Sequence, residues 1–224
     1  MQNIPLLSTS QTYGLLTSNM LAWWKADSIV GWTNKTILGS TVAGPSWGDS
    51  SGHGYNLTTN VGTTRWINNQ VGLLPSITTT QTGSLRIDQN LVLSTNFTII
   101  AVYKSQAGAD GFLFGNSVVS RQVRVNRSGA NQCSFFDGTT EAISGTLTTA
   151  KTDKRMITWI RLNGAITYMD DLLPVTGGTA ALSTTFDTWA TGSSPIPYVG
   201  DVYEIVIYDQ AKTAAQITNL YRGY

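Results

Sequence analysis

Apolar and polar positions along this chain come in short runs broken by turn residues, the spacing expected of a β-sandwich rather than of helices. The runs predict strands over Met20–Trp24, Ser84–Asp88, Phe97–Lys104, Gly111–Phe114, Gln122–Asn126, Gln132–Phe136, Arg155–Arg161, Ala165–Met169 and Tyr198–Tyr208. Phe97-Thr-Ile-Ile-Ala-Val-Tyr103 is apolar on both faces, which suits a central strand covered on both sides. In the last run, strict alternation places Tyr203, Ile205 and Ile207 on one face and Val202, Glu204, Val206 and Tyr208 on the other. One helix is predicted after it. Thr213-Ala-Ala-Gln216 reads as a capping box, with Ile217, Leu220 and Tyr221 along one helical face. Gly-Asp and Gly-His-Gly stretches supply turns, and neither a repeat nor a linker divides the chain.

Composition narrows this to one all-β domain. At 224 residues, 41% hydrophobic and 10% aromatic, the chain has material for a sizeable core. Charged residues are only 12%, about half the usual share, and Thr, Ser, Asn and Gly replace them on the surface. A formal net charge of +1 gives no electrostatic case for nucleic acid or a membrane surface. Cys133 is the sole cysteine; it excludes an intrachain disulfide and a cysteine-based zinc cluster, and reads as a small buried thiol. No run approaches the ~20 apolar residues that span a bilayer. The N-terminus lacks the basic region of a secretory signal, so the expectation is a protein made without Sec export, or a processed form.

Residues 1–19 stand apart from the domain at 20–224. Lys25 is the first charged side chain, and the segment before it mixes Leu, Ser, Thr, Gln and Tyr. Such an arm lies against its own domain or reaches onto a neighbouring subunit; Met1, Ile4, Leu6, Leu7 and Tyr13 are its candidate assembly contacts.

Five pieces in fixed order carry a resemblance. They are Trp23-Trp24-x-Ala26-Asp27; Trp47-x-Asp49-x-Ser51-Gly52-His53-Gly54-Tyr55-Asn56-Leu57; Phe97-Thr98-Ile99; Trp159-x-Arg161 with Gly164 and Tyr168; and Gly200-x-Val202-x-Glu204-Ile205-x-Ile207-Tyr208. From about Leu21 to Tyr221 the chain resembles the laminin-G-like branch of the concanavalin A-like lectin/glucanase superfamily. The resemblance implies an all-β, two-sheet antiparallel jelly-roll sandwich with one short C-terminal helix, its curved inner sheet forming a shallow groove. One departure is Asp170-Asp171, where the family has an Asn-Gly hairpin turn after the Tyr strand.

Catalytic chemistry finds little to stand on, and no enzyme is expected. The glycoside hydrolases that share this jelly roll resemble one another in a Glu-x-Asp-x-x-Glu strand, and such chemistry needs two carboxylates close together. This chain has only Glu141 and Glu204, in dissimilar segments, and alternation puts Asp201 and Glu204 on opposite faces of one strand. His53, the sole histidine, sits in a Gly-rich turn and reads as a turn residue.

Binding features are more numerous. Trp47, Trp66, Trp189 and Trp32 fall in predicted loops or strand ends, and an aromatic face with nearby Asn, Asp and Arg is what a pyranose-binding site offers. Trp189, in Thr-Phe-Asp-Thr-Trp-Ala-Thr-Gly, is the leading candidate, with Asp187 beside it; the bland alternative is core packing. Asp170, Asp171 and Asp201, with Asp187, are the candidate oxygen ligands for calcium, which some laminin-G-like domains hold at a rim. Solvated turn carboxylates are the competing reading. Arg121, Arg124 and Arg127 form a basic cluster in which alternation turns Arg124 away from the other two, the pattern of a charged edge strand.

Two functions follow. The first is a structural or adhesive module, a decoration or surface protein of a phage or virus particle. It rests on the uncharged arm and near-neutral surface, and its partners would be subunits of a large assembly. The second is a free carbohydrate-binding lectin module acting through the concave sheet and loop aromatics.

Overall fold

The computed structural model describes residues 18–28, 46–61, 64–67, 75–79, 83–106, 111–127, 130–150, 152–190 and 198–222. Most of the predicted arm, including Met1, Ile4, Leu6, Leu7 and Tyr13, lies outside these residues, as does Trp32.

Two antiparallel sheets face each other. The first runs in the order β13 (Leu173–Thr179), β12 (Ala165–Asp170), β11 (Arg155–Leu162), β6 (Phe97–Ser105), β15 (Gly200–Tyr208), β4 (Ser76–Thr79) and β3 (Thr64–Ile67), with β1 (Met20–Lys25) also paired to β15. The second runs β10 (Glu141–Ile143), β9 (Ser134–Phe136), β8 (Gln122–Val125), β7 (Gly111–Gly115), β14 (Thr184–Trp189), β5 (Ser84–Leu93) and β2 (Leu57–Val61). One helix, α1 (Ala214–Arg222), closes the chain. The predicted all-β sandwich with one C-terminal helix is therefore the observed fold.

The doubly apolar strand is central, as its sequence demands. β6 lies between β11 and β15; its Phe97, Ile99, Ala101 and Tyr103 fill the core between the sheets. Ile100 and Val102 point the other way, into a second apolar cluster with Trp23, Met156, Met169, Val206 and Tyr208. Ile217 and Leu220 of α1 belong to that cluster, so the helix roofs the outside of the first sheet. Its start is the predicted capping box: Gln216 N–H donates to Thr213 Oγ1 at 3.2 Å, and Thr213 N–H donates to Gln216 Oε1 at 2.8 Å.

Alternation along β15 is broken by a bulge between Val202 and Glu204. Val202 joins Ile205 and Ile207 in the inter-sheet core, while Tyr203 joins Val206 and Tyr208 outside. The extra residue inserts a phase shift that a period of two cannot show. Asp201 and Glu204 consequently share the outer face, contrary to the sequence expectation.

Cys133 is buried, with Sγ 3.8 Å from Tyr103 Oη, and burial pushes its thiol up to about 12. An aromatic disulfide reagent at neutral pH is expected to leave the folded protein unlabelled and to titrate one thiol only after denaturation. Fast labelling of the native chain would contradict this packing.

Candidate functional site

The tryptophans expected in loops are core residues. Trp189 ends β14 with no solvent exposure, and its ring meets Trp47 edge-on at 5.5 Å between centroids. Trp47 is equally buried and donates its indole N–H to Lys25 O at 3.0 Å; Trp66 donates to Ala26 O at 2.9 Å. Trp47 and Trp66 thus satisfy their one polar atom on the backbone, whereas the Trp189 indole N–H is buried without a partner among the described residues. None of the three presents a face to a ligand, which corrects the expectation for Trp189, Trp47 and Trp66.

The residues between Trp47 and Leu57 explain themselves in the same way. Asp49 Oδ1 accepts from the N–H groups of Trp23 and Ser51, both at 2.9 Å. Its Oδ2 accepts from Ser51 Oγ at 2.7 Å and Tyr55 N at 3.1 Å. Asn56 Oδ1 in turn accepts from Asp49 N at 3.0 Å, and Gly52 and Gly54 take positive φ. One carboxylate thus ties a tight turn to β1 and leaves His53 exposed at its tip.

The predicted calcium ligands bond mostly within their own chain, Asp170 Oδ1 alone being buried without a partner among the described residues. Asp170 Oδ2 accepts from the N–H groups of Thr148 and Thr149 at 2.6 and 2.8 Å. Asp171 accepts from Met156 N at 2.7 Å and Thr149 Oγ1 at 2.8 Å, and burial pushes its carboxyl above the ordinary range. Asp171 and Leu172, both at positive φ, form the hairpin turn between β12 and β13. Asp201 sits on β15, bonded to Ser76 and Thr78 hydroxyls. Among the described residues no three His, Cys, Asp or Glu side chains converge as metal ligands. Asp187 accepts from Ser117 N at 2.7 Å and from Ser117 Oγ, pinning the 116–119 loop.

What the sequence did not reveal is a row across the outer face of the second sheet. In register, Glu141 faces Phe136, Phe136 faces Gln122, Gln122 faces Gly115, Gly115 faces Thr188 and Thr188 faces Arg86. At ~4.8 Å per strand the row is roughly 24 Å long. Phe136 is half-buried and Arg86 exposed; between them Gln122, Gly115 and Thr188 are buried, and the Thr188 hydroxyl donates to Gly115 O at 3.0 Å, while the strand neighbours Phe135, Leu85 and Ile87 point into the core.

One end of this row is electrostatically built. Glu141 receives Arg127 Nη2 at 2.8 Å, Arg124 Nη1 at 3.3 Å and Ser134 Oγ at 2.7 Å. Burial alone would push its carboxyl up, but these donors outweigh it and hold Glu141 below the ordinary range. The Arg124 guanidinium also lies over the Phe112 ring, 5.1 Å from its centroid. Arg124 and Arg127 converge because Asn126, at φ 52°, turns the chain after β8. Nor is β8 an edge, since it lies between β7 and β9. Both findings correct the reading of this cluster as a charged edge strand with Arg124 turned away.

No protein-family profile and no curated protein matches this chain. Solved structures do match in shape. Domain 4 of AbnA, a GH43 extracellular arabinanase from Geobacillus stearothermophilus solved with arabinotriose, superposes with a TM-score of 0.65 at 15% identity over 91% of this chain and 98% of that one. The binding domain of Paraclostridial Mosquitocidal Protein 1 gives 0.62 at 14% identity, over 93% of this chain and 53% of its own. Trypanosoma rangeli sialidase gives 0.56 at 11% identity, and this chain spans 35% of its length. At these identities the likeness shows the fold alone, a two-sheet antiparallel β-sandwich.

Proposed function

We propose that the chain is a non-enzymatic carbohydrate-binding module that lays a glycan along the row from Glu141 to Arg86. The observation that carries this is the row itself, in register across six strands, with the half-buried Phe136 ring and Glu141 carboxylate at one end and the exposed Arg86 guanidinium at the other. An aromatic face accepts the C–H side of a pyranose or furanose, and the charged groups meet its hydroxyls. The AbnA domain, solved with arabinotriose, supports an oligosaccharide as the class of ligand. The tight Asp49 turn supports the laminin-G-like branch in particular.

A binding role without turnover is supported by the two glutamates. Glu141 lies on the outer face of the second sheet, whereas Glu204 lies outside the first and accepts from Trp23 Nε1 at 2.6 Å. Packed sheets lie ~10 Å apart, so the whole sandwich separates these carboxylates, farther than a hydrolytic pair tolerates.

Electrophoresis through gels cast with soluble polysaccharides tests the reading. At least one polysaccharide is expected to retard the chain, and Phe136→Ala is expected to cut that retardation on the order of tenfold in affinity while the melting temperature holds. Retardation unchanged in Phe136→Ala would remove the row from the account.

A virion-decoration role stands second. The last residues of the arm are tied to the segment before α1, with Asp209 N–H on Asn19 O at 2.9 Å and Lys212 Nζ on Ser18 O at 3.2 Å. In this reading residues 1–17 engage a neighbouring subunit. Light scattering tests it: an oligomer that becomes monomeric without residues 1–17 is the expected result, and a monomer in both cases would count against self-assembly.

A further inference from the structure

We infer a second, smaller carbohydrate site on the opposite side of the molecule, a recess between β1 and the Asp49 turn that takes a single neutral sugar ring. The recess, of about 270 Å³, is lined by Met20, Trp23, Lys25, Ser28, Ser50, Ser51 and His53. That volume lies just below the usual range for ligand sites, room for one ring rather than a chain.

Its construction is that of a sugar pocket. Met20 and Trp23, the Lys25 ammonium lying over the Trp23 ring, make a floor nearly buried by the second core cluster behind them. The floor is fixed from three sides. Glu204 accepts the Trp23 indole N–H at 2.6 Å, Asp49 accepts the Trp23 backbone N–H at 2.9 Å, and Trp23 O accepts from Ser50 N at 2.6 Å. The rim is polar, with hydroxyls from Ser28 and Ser50, the exposed His53 imidazole and the Lys25 ammonium.

Charge selects a neutral ligand. Lys25 Nζ lies 4.7 Å from the Trp23 ring centroid and 3.7 Å from Asp27 Oδ1, so its charge is answered within the chain. Asp49 already accepts four hydrogen bonds, and Glu204 is buried beneath the floor. What the rim offers is hydrogen bonding around this floor, the demand of a pyranose with one C–H face. The backbone of His53 is tied to the second sheet, where Gln89 Nε2 from β5 donates to His53 O at 3.0 Å.

This inference extends the carbohydrate reading but uses none of the residues of the long row, so the two fail separately. The full chain, titrated by NMR with a panel of methyl pyranosides, reports on it directly. At least one glycoside is expected to shift the Trp23 indole N–H and the Ser50 and His53 amides saturably. His53→Ala, which alters only an exposed turn tip, is expected to weaken that response roughly tenfold. Lys25→Met, which keeps the aliphatic stem, is expected to do the same, while Phe136→Ala leaves it intact. A panel that never moves the Trp23 indole signal overturns the site, and so does a response that survives both variants unchanged.

Discussion

Asp49→Ala is expected to cost the fold about 3 kcal/mol, a fall in melting temperature of roughly 10 °C for a chain of this length. The carboxylate accepts from three backbone N–H groups, those of Trp23, Ser51 and Tyr55, and from the Ser51 hydroxyl. Alanine leaves the three N–H groups without their acceptor, while the Ser51 hydroxyl keeps Leu21 O at 3.2 Å. The loss propagates, because Tyr55 O is the acceptor for Trp24 Nε1 at 2.7 Å, and Trp24 packs against Phe114 in the inter-sheet core. Asp49→Asn keeps one acceptor oxygen and is expected to fall between alanine and the native residue. Thermal unfolding followed by circular dichroism reads both. A loss under about 1 kcal/mol for the alanine variant would mean that water replaces the carboxylate at little cost.

Gly200→Ala is expected to be at least as damaging, about 3–4 kcal/mol, for a steric reason. Gly200 opens β15 at φ 152° and pairs on one side with Thr79 and on the other with Ser105. A Cβ there would stand 2.3 Å from Lys104 O, 2.6 Å from Tyr198 Oη and 2.9 Å from Ser105 Cα. Two of those three atoms are backbone of β6, the central strand, and cannot step aside without breaking its ladder. Relief is available only by unpairing the start of β15, which would strip Asp201 from Ser76 and Thr78. Denaturant titration is the measurement, and a midpoint within error of the native chain would refute the clash.

These two positions also mark what the sequence discloses. Asp49, Gly52, Gly54 and Gly200 stand out in it because their roles are local, a turn or a strand start. β6 and α1 are legible for the same reason, one through an uninterrupted apolar run and the other through a capping box. β14 is not. Thr184-Thr-Phe-Asp-Thr-Trp189 is half polar, and a bulge between Phe186 and Thr188 turns Trp189 inward where plain reading leaves it in a loop. Trp47 and Trp66 mislead similarly, since polar neighbours say nothing about which backbone carbonyl an indole will find. The row from Glu141 to Arg86 is the least visible feature of all. It is assembled by strand register from segments as far apart as β5 and β14, and register is a property of the folded sheets.

The central claim, that the second sheet's outer face is the glycan platform, is tested most directly by amide shift mapping. The full chain would be titrated with a short oligosaccharide cut from whichever polysaccharide retards it. The account predicts saturable shifts on β8, β9 and β10, centred on Gln122, Arg124, Phe136 and Glu141 and reaching Thr188 and Arg86. Shifts confined to residues off this face, or none at saturating ligand, would contradict it.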